Sequence, residues 1–167
     1  MSNSEENLQI AFAGESQANR RYLFFADKAE KEGYPQIARL FRAAAEAETV
    51  HARNHFNAMD GVSSTKDNLQ TGVIGENLEF TKMYPPFINQ AAIENNKRAQ
   101  RTFEYANVVE EIHHGLFQEA LKVFDNGQQL KDEPYFVCQI CGNTVGSAAP
   151  EKCPICGAPA SKFTKVE

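Results

Sequence analysis

Two Glu-x-x-His motifs, Glu48–His51 and Glu110–His113, lie 62 residues apart. On a helix, residues three positions apart project from one face, so each motif presents a carboxylate and an imidazole to the same point. These two groups together suit transition metals. A lone histidine on an apolar helix face is more often a core residue, but two matched motifs predict two metal-binding faces.

Further glutamates repeat in the same way. Glu15 lies on the apolar stripe of the first predicted helix, and Glu76 holds the matching place 61 residues later. A charged residue is rarely buried without a partner, although Glu15 alone could equally be a solvated residue at the stripe's edge. Glu79 follows Glu76 by one turn, where the first half carries Ala18. The repeat predicts six ligands and a seventh, Glu79, on one side only.

All four cysteines lie in the last thirty residues, as two Cys-x-x-Cys pairs each followed by glycine: Cys138, Cys141, Cys153 and Cys156. Four thiolates at this spacing predict one tetrahedral metal, and both iron and zinc accept such a site. A purely structural zinc ribbon is the alternative. Paired cysteines of this kind are typical of a reducing compartment, which favours the cytoplasm.

Helical periodicity covers the chain before the cysteines. The pattern predicts helices over 8–31 and 35–59, a third beginning at a cap in 63–65, and a fourth that ends at Asp125. Pro85-Pro86 should kink or divide the third helix before 87–94. Two hairpins of this kind predict an all-α four-helix bundle over 1–128 and a small four-cysteine metal domain over 129–167.

Composition excludes several classes of function. The 167 residues carry a net charge of −5 and no basic run, which argues against nucleic acid as a partner. No apolar stretch approaches the roughly 20 residues that span a bilayer, and the acidic N-terminus is unlike a signal peptide. A dinucleotide fingerprint is missing as well, so oxidation of NAD(P)H would need a separate reductase.

The ligand set favours iron in the bundle. Six or seven mostly oxygen ligands exceed what tetrahedral zinc uses, while manganese or a mixed pair stays open. Tyr22 lies seven residues after Glu15, and Tyr84 lies five after Glu79. Either tyrosine could place its hydroxyl near the metals, or simply pack its ring in the bundle.

Several motifs together resemble the rubrerythrin family over essentially the whole chain. They are Ala13–Ala18 with Arg21-Tyr22, Glu46–Ala52, Gly75-Glu76-x-x-Glu79, Met83-Tyr84-Pro85, Glu110-x-x-His113 and the paired cysteines. The resemblance implies a ferritin-like di-iron domain and a rubredoxin-like domain with one iron. It also implies a peroxidase for oxidative-stress defence that reduces hydrogen peroxide to water, with electrons passing through the rubredoxin-like iron.

The resemblance further implies roles for single residues. Glu48 and Glu110 would bridge the two irons, which share an oxo or hydroxo bridge when oxidised. On reduction one iron would exchange Glu79 for His51. The implied terminal ligands are Glu15, Glu76, Glu79 and His113, and the implied hydrogen-bonding tyrosines are Tyr22 and Tyr84.

Two features depart from many relatives. Lys82 stands where another acidic residue is common, which should change local charge and not ligation. The connection between the second and third helices is also short: about seven residues reach roughly 24 Å at most, against about 31 Å required for a crossover. We therefore expect a domain-swapped homodimer, in which the first hairpin of one chain completes a bundle with the second hairpin of its partner.

Two other functions stay open at this point. One is a ferritin-like ferroxidase or iron-binding protein with a structural zinc tail, and the other is an electron-transfer protein whose bundle only positions the thiolate-bound iron. The four-cysteine domain favours the peroxidase, because ferroxidase chemistry takes its electrons from Fe(II) and needs no built-in relay. The expected partners are hydrogen peroxide and a separate reductase or rubredoxin as electron donor.

Overall fold

Helices form most of the first 125 residues, and a small sheet follows them. A computed structural model describes residues 3–167. The helices are α1 (Asn3–Lys31), α2 (Pro35–Ala58), α3 (Thr65–Leu78), a π-helical turn (Glu79–Met83), α4 (Tyr84–Ile93) and α5 (Lys97–Asp125). The strands are β1 (Tyr135–Cys138), β2 (Thr144–Gly146) and β3 (Phe163–Val166), with a 3₁₀ turn at Ala160–Lys162.

The chain divides into two compact units between Ser63 and Ser64. In the first unit, α1 and α2 form a hairpin whose turn uses Gly33 at φ +83°. Such a backbone conformation suits glycine because it lacks a Cβ. The buried residues of this hairpin are small, and they let the two helices approach closely: Ala26, Ala29, Ala38 and Ala45.

The second unit contains α3 to α5 and the sheet. Ser64 caps α3 by accepting a hydrogen bond from the Asp67 N–H at 3.2 Å, so the predicted cap is confirmed. Asn96 caps α5 in the same way, with its Oδ1 3.1 Å from the Ala99 nitrogen. These caps satisfy N–H groups that a helix start leaves unpaired.

Two predicted helix bounds differ in detail from the structure. In the first unit, α1 begins at Asn3 and not at residue 8, because Glu5 and Glu6 in its first turn favour the helix dipole. In the second unit, the third helix is divided before 87–94 as predicted, but Pro85-Pro86 occupies the first turn of α4 and is not itself the break. The π-helical turn stands before it, and the Tyr84 N–H bonds to the Glu79 carbonyl. Pro85 and Pro86 lack an N–H and cannot donate α-helical hydrogen bonds to the preceding turn. The wider π-helical turn therefore lies where those bonds are missing in any case.

The sheet is antiparallel in the order β2-β1-β3, with β1 in the centre and Cys138 at its end. The long helices followed by a small sheet that carries the cysteines agree with the predicted fold class, a ferritin-like helical protein with a rubredoxin-like four-cysteine domain. The domain bound between 128 and 129 stays a prediction. None of the described helices has the length and apolar character that crossing a bilayer requires.

Candidate metal centres

The first unit brings three predicted ligands together. Glu48 and His51 lie on successive turns of α2, and the His51 Nδ1 is 2.8 Å from the Glu48 Oε2. The same Nδ1 is 3.9 Å from the Oε1 of Glu15 on α1. All three ligand atoms lie within 4.8 Å of one another. We call Glu15, Glu48 and His51 the first half-site.

Asn19 fixes the register of the two helices that carry the first half-site. Its Nδ2 donates to the Ala45 carbonyl at 2.7 Å and lies 2.9 Å from the Thr49 hydroxyl oxygen. Since Asn19 follows Glu15 by one turn and Thr49 follows Glu48 directly, these bonds hold the two carboxylates side by side. Sequence reasoning missed Asn19, although its spacing from Glu15 places it on the same face.

The second unit repeats this geometry. The His113 Nδ1 is 2.8 Å from the Glu110 Oε2 and 3.9 Å from the Oε2 of Glu76 on α3. These three atoms also lie within 4.8 Å of one another. The His114 Nδ1 donates to the Val73 carbonyl at 2.9 Å and so joins α5 to α3 beside the cluster. We call Glu76, Glu110 and His113 the second half-site.

The donor atoms of both half-sites fit a metal ion. A first-row metal held at about 2.1 Å places neighbouring ligand atoms roughly 3 to 4 Å apart, which matches the distances in both clusters. Two carboxylates and one imidazole per half-site suit iron or manganese. Six residues are therefore placed where they can hold two metal ions, one set in each unit.

Glu79 lies outside the tight cluster of the second half-site but is electrostatically linked to it. Burial raises the pKa of Glu79, and the negative charge of Glu76 raises it further. Burial and the Glu110 carboxylate raise the pKa of Glu76 in turn. Carboxylates held close together and partly out of water repel one another, and a bound cation relieves that repulsion.

The two tyrosines occupy equivalent places in the two units. The Tyr22 ring packs 6.1 Å from the Phe41 ring, and the Tyr84 ring packs 6.3 Å from the Phe103 ring. Burial raises the pKa of Tyr84, and the charges of Glu110, Glu79 and Glu76 raise it further. Tyr84 therefore keeps its phenolic proton beside the second half-site.

A threonine of the rubredoxin-like domain holds the ring of His113. The Thr144 hydroxyl donates to the Gly142 carbonyl at 3.0 Å, so its oxygen is left to accept from the His113 Nε2–H at 2.9 Å. This bond turns Nδ1 toward the two glutamates, where it lies 2.8 Å from the Glu110 Oε2. A metal held at Nδ1 would leave the ring proton on Nε2, facing Thr144. Within residues 3–167, His51 has a carboxylate at Nδ1 but no hydrogen-bond partner at Nε2. Sequence reasoning missed Thr144, which carries no motif.

The four cysteines form the third candidate centre. The Cys138 and Cys156 sulfurs are 3.7 Å apart, the Cys141 and Cys153 sulfurs are 3.6 Å apart, and all four lie within 4.8 Å of one another. A tetrahedral metal with bonds of about 2.3 Å requires sulfurs about 3.8 Å apart, so the residues fit one ion.

A glycine follows each Cys-x-x-Cys pair, and its N–H completes the turn. The Gly142 N–H bonds to the Cys138 carbonyl at 2.8 Å and the Gly157 N–H to the Cys153 carbonyl at 3.0 Å. Both glycines have positive φ, at +86° and +77°. A side chain at either position would be strained, which explains why glycine ends each pair.

The thiols differ in acidity. Burial opposes ionisation of Cys153, but the backbone N–H groups of Cys156 and Ile155 stabilise its thiolate, and its pKa falls to about 7. Burial raises the pKa of Cys141 and of Cys156. The Cys153 thiolate therefore forms readily, whereas a metal ion would favour loss of the protons of Cys141 and Cys156.

Comparison with known families agrees with this arrangement of sites. The family described as Rubrerythrin matches residues 6–121, and the family described as Rubrerythrin, rubredoxin-like domain matches residues 136–164. The first match contains both half-sites, and the second contains all four cysteines.

Several named proteins are similar over nearly their whole length. Rubrerythrin-2 of Clostridium acetobutylicum is 38% identical, over 93% of this chain and 92% of the relative. Rubrerythrin of Porphyromonas gingivalis is 36% identical, over 97% and 89%. The solved structure of mixed-valent nigerythrin has a TM-score of 0.58 at 35% identity, over 99% of this chain and 88% of that one. With two family matches and relatives of this similarity, this chain belongs to the rubrerythrin family.

Proposed function

We propose that this protein is a non-haem di-iron peroxidase that reduces hydrogen peroxide to water. Membership of the rubrerythrin family makes it an oxidoreductase of the di-iron type, and peroxide as the substrate is the proposed step beyond that. The observation that carries the proposal is the pair of half-sites with matching distances of 2.8 and 3.9 Å. When bound, an iron pair supplies the two electrons with which H₂O₂ and two protons become two water molecules.

We propose different roles for the residues of the two half-sites and for Glu79. Glu15, Glu76, Glu110 and His113 are proposed as lasting ligands, and Glu48 as a bridge together with Glu110. Glu79 and His51 are proposed as alternatives at one metal. This asymmetry agrees with the hydrogen bonds, since Thr144 holds the His113 ring while the His51 ring, 52% exposed, lacks such a partner among the described residues.

Two groups beside the second half-site can supply protons. The raised pKa of Glu79 makes its carboxyl more ready to take a proton than an ordinary glutamate when it leaves a metal. Tyr84 keeps its phenolic proton because its pKa is raised as well. We propose that Tyr84 donates a hydrogen bond to peroxide, and that Glu79 carries one of the two protons that the reaction consumes.

Electrons are proposed to enter through the four-cysteine iron. A continuous chain of hydrogen bonds begins at the carbonyl of Gly142, which follows Cys141. It runs through the Thr144 hydroxyl to the ring of His113 in the second half-site. A ferroxidase takes electrons from Fe(II) and has no need of such a connection. The donor is proposed to be a separate reductase or a rubredoxin.

A domain-swapped homodimer is proposed to bring the half-sites together. Each compact unit holds three of the proposed ligands, and a short segment of chain between α2 and α3 joins the two units. Among residues 3–167, no Leu, Ile, Phe or Met side chain is buried. Exposed apolar helix faces usually pack against another protein surface. The matching hairpin of a second copy offers such a surface, because it has a repeat of the same helices and ligand spacing.

Complementation between two inactive variants tests the swap. One variant carries Glu48→Ala and His51→Ala, and the other carries Glu110→Ala and His113→Ala. In a swapped heterodimer, one bundle combines the two intact hairpins, so co-expression should restore peroxide turnover to as much as half the wild-type value per heterodimer. If mixed dimers form and stay inactive, each bundle comes from a single chain and the swap is wrong.

Colour and metal content test the function. We expect the isolated protein to be red from ferric iron bound by four thiolates, to bleach with a reductant and to regain its colour with peroxide. The variant with Glu110→Ala and His113→Ala is the control, because it keeps the four cysteines but should recolour slowly. A colourless protein that contains zinc at the four cysteines would instead favour the ferroxidase.

A further inference from the structure

A basic groove lies beside the four-cysteine centre, in the second unit. It is lined by residues from the start of α5 and by one residue between the first two cysteines: Lys97, Arg98, Arg101, Thr102, Tyr105 and Ile140. We call these six residues the basic groove. Its volume is about 350 Å³.

The positive charge of the basic groove is not neutralised nearby. Within residues 3–167, no carboxylate lies within 4.0 Å of the Lys97, Arg98 or Arg101 side-chain nitrogens. The closest acidic residues along the chain are engaged by amides, since Glu94 accepts from Gln90 at 2.7 Å and Glu104 accepts from Gln100 at 2.8 Å. The whole chain has a net charge of −5, so the basic groove is a locally positive surface on an acidic protein.

These cations do not help α5 to fold. A helix N-terminus carries a partial positive charge, and it is stabilised by acidic residues. The first turn of α5 contains no acidic residue and begins with Lys97 and Arg98. Their placement therefore strengthens the positive potential at the expense of helix stability, which indicates a role in binding.

The groove also reaches the accessible side of the four-cysteine centre. Cys138 and Cys153 are buried, whereas Cys141 and Cys156 are half-buried, and the groove lies on the Cys141 side. Ile140 precedes Cys141 in the chain, and 54% of its surface is exposed. An exposed apolar residue next to a cysteine of the centre, in a groove lined by cations and an aromatic ring, is typical of a small recognition surface.

We infer that the basic groove docks an acidic one-electron carrier protein and that electrons enter the four-cysteine centre there. This inference rests on the proposed electron relay and names its entry point. Opposite charges across such an interface raise the association rate and orient the partner, while Ile140 gives it an apolar contact. With ferric iron held by Cys138, Cys141, Cys153 and Cys156, one electron would pass from the carrier to the iron, which would become ferrous, and no bond would form or break.

Reduced flavodoxin, an acidic flavoprotein, is a suitable probe because its absorbance differs from that of the thiolate-bound iron. Its anionic hydroquinone becomes the neutral semiquinone when it gives up one electron, without any proton transfer. The experiment mixes it anaerobically with the full-length, iron-loaded protein and follows bleaching of the ferric colour. It is repeated at ionic strengths from about 0.01 M, where charges interact over about 30 Å, to about 1 M.

The test variant carries Arg98→Glu and Arg101→Glu, and the control carries Lys31→Glu and Arg39→Glu. Both pairs are exposed and change the net charge equally, but Lys31 and Arg39 belong to the first hairpin. At low ionic strength we expect the test variant to be reduced at least about tenfold more slowly than wild type, and the control within about twofold. The wild-type rate should fall with added salt, and that of the test variant should not.

A small uncharged hydroquinone serves as a second reductant, and it should bleach wild type and both variants at the same rate. Equal rates of all three proteins with flavodoxin would overturn the docking inference while leaving the peroxidase proposal intact. A change of oligomeric state in the test variant would also overturn it, because the groove would then be an interface between copies. Absence of any reducible four-cysteine iron, by contrast, would contradict the proposed function itself.

Discussion

The His113 Nε2 lies 2.9 Å from the Thr144 hydroxyl, so a ligand of the second half-site is hydrogen-bonded to the rubredoxin-like domain of its own chain. Thr144 in turn donates to the carbonyl of Gly142, which directly follows Cys141. This relationship links the two kinds of centre and selects the ring nitrogen that faces the glutamates. It also distinguishes His113 from His51, which lacks such a partner in the part of the chain described.

Replacing Thr144 with valine should slow electron transfer from the four-cysteine iron by roughly tenfold, because loss of a partner outside the ligand shell typically costs 10- to 100-fold. The rate is measured as return of the ferric colour after the reduced protein is mixed with peroxide. The metal affinity of the second half-site, measured by titration, should also fall, because the His113 ring is no longer held in place.

Thr144→Ser should retain the hydroxyl and restore both readings, while Thr164→Val on the exposed strand β3 is the matched control. If Thr144→Val behaves like wild type in both measurements, the hydrogen bond has no part in holding His113.

Replacing His51 with alanine should leave the oxidised metal centre in place but reduce peroxide turnover by roughly tenfold or more. The reason is that His51 is expected to bind only after reduction, in exchange for Glu79. Metal content and turnover are measured on the same sample. His113→Ala is the comparison and should lose metal as well as activity. Normal turnover by His51→Ala would show that its motif is only a second copy of the first.

Glu76→Gln should stabilise the metal-free protein at neutral pH. The folded-state pKa of Glu76 is raised, so the folded chain binds its proton more tightly than the unfolded chain does. Stability therefore falls as pH rises from the ordinary value of 4.5 through the raised folded-state value, and the full penalty applies above it. Removing the charge should recover on the order of 1 kcal/mol, or about 2–4 °C in Tm.

Thermal unfolding of the metal-free proteins at pH 7 and at pH 4 measures this effect, and the gain should disappear at the lower pH. Glu111→Gln is the control, because Glu111 is exposed on α5 and belongs to neither half-site. With metal bound the order should reverse, since the variant loses a ligand. A metal-free Glu76→Gln protein that is less stable than wild type at pH 7 would contradict this account of the half-site.

Deleting Lys82 should convert the π-helical turn into ordinary α-helix. We expect the metal-free protein to become more stable by roughly 1 kcal/mol, because π-helical turns are rare and are retained mainly at functional sites. Metal binding by the second half-site should weaken, since the turn sets Tyr84 relative to Glu76. Calorimetry and metal titration measure the two effects, and deletion of Gln129 in the exposed linker is the control. Unchanged metal affinity would mean that the turn has no role in the site.

The sequence repeat contained a signal for this turn. Glu15 and Glu76 are 61 positions apart, whereas Tyr22 and Tyr84 are 62 apart. One extra residue must therefore lie between Glu76 and Tyr84, and the π-helical turn at Glu79–Met83 accommodates it. Emphasis on Pro85-Pro86 predicted a break instead, because proline is the stronger local signal for the end of a helix.

Periodicity and motif spacing were sufficient for the helices, the half-sites and the four-cysteine centre, because all three depend on residues a turn or a short loop apart. Thr144 and the basic groove could not be predicted in this way. Both require β2 or the first cysteine pair to lie against α5. That placement brings together residues far apart in sequence, such as Gly142 and Val109, where a Cβ on the glycine would lie 3.5 Å from the valine side chain. Local patterns do not encode such distant contacts.

Anaerobic stopped-flow mixing of the fully reduced protein, with hydrogen peroxide in one experiment and dioxygen in the other, tests the peroxidase assignment most directly. Return of the ferric absorbance reports oxidation in both cases, at matched oxidant concentrations. The account predicts that peroxide oxidises the protein much faster than dioxygen does. Faster oxidation by dioxygen would contradict it.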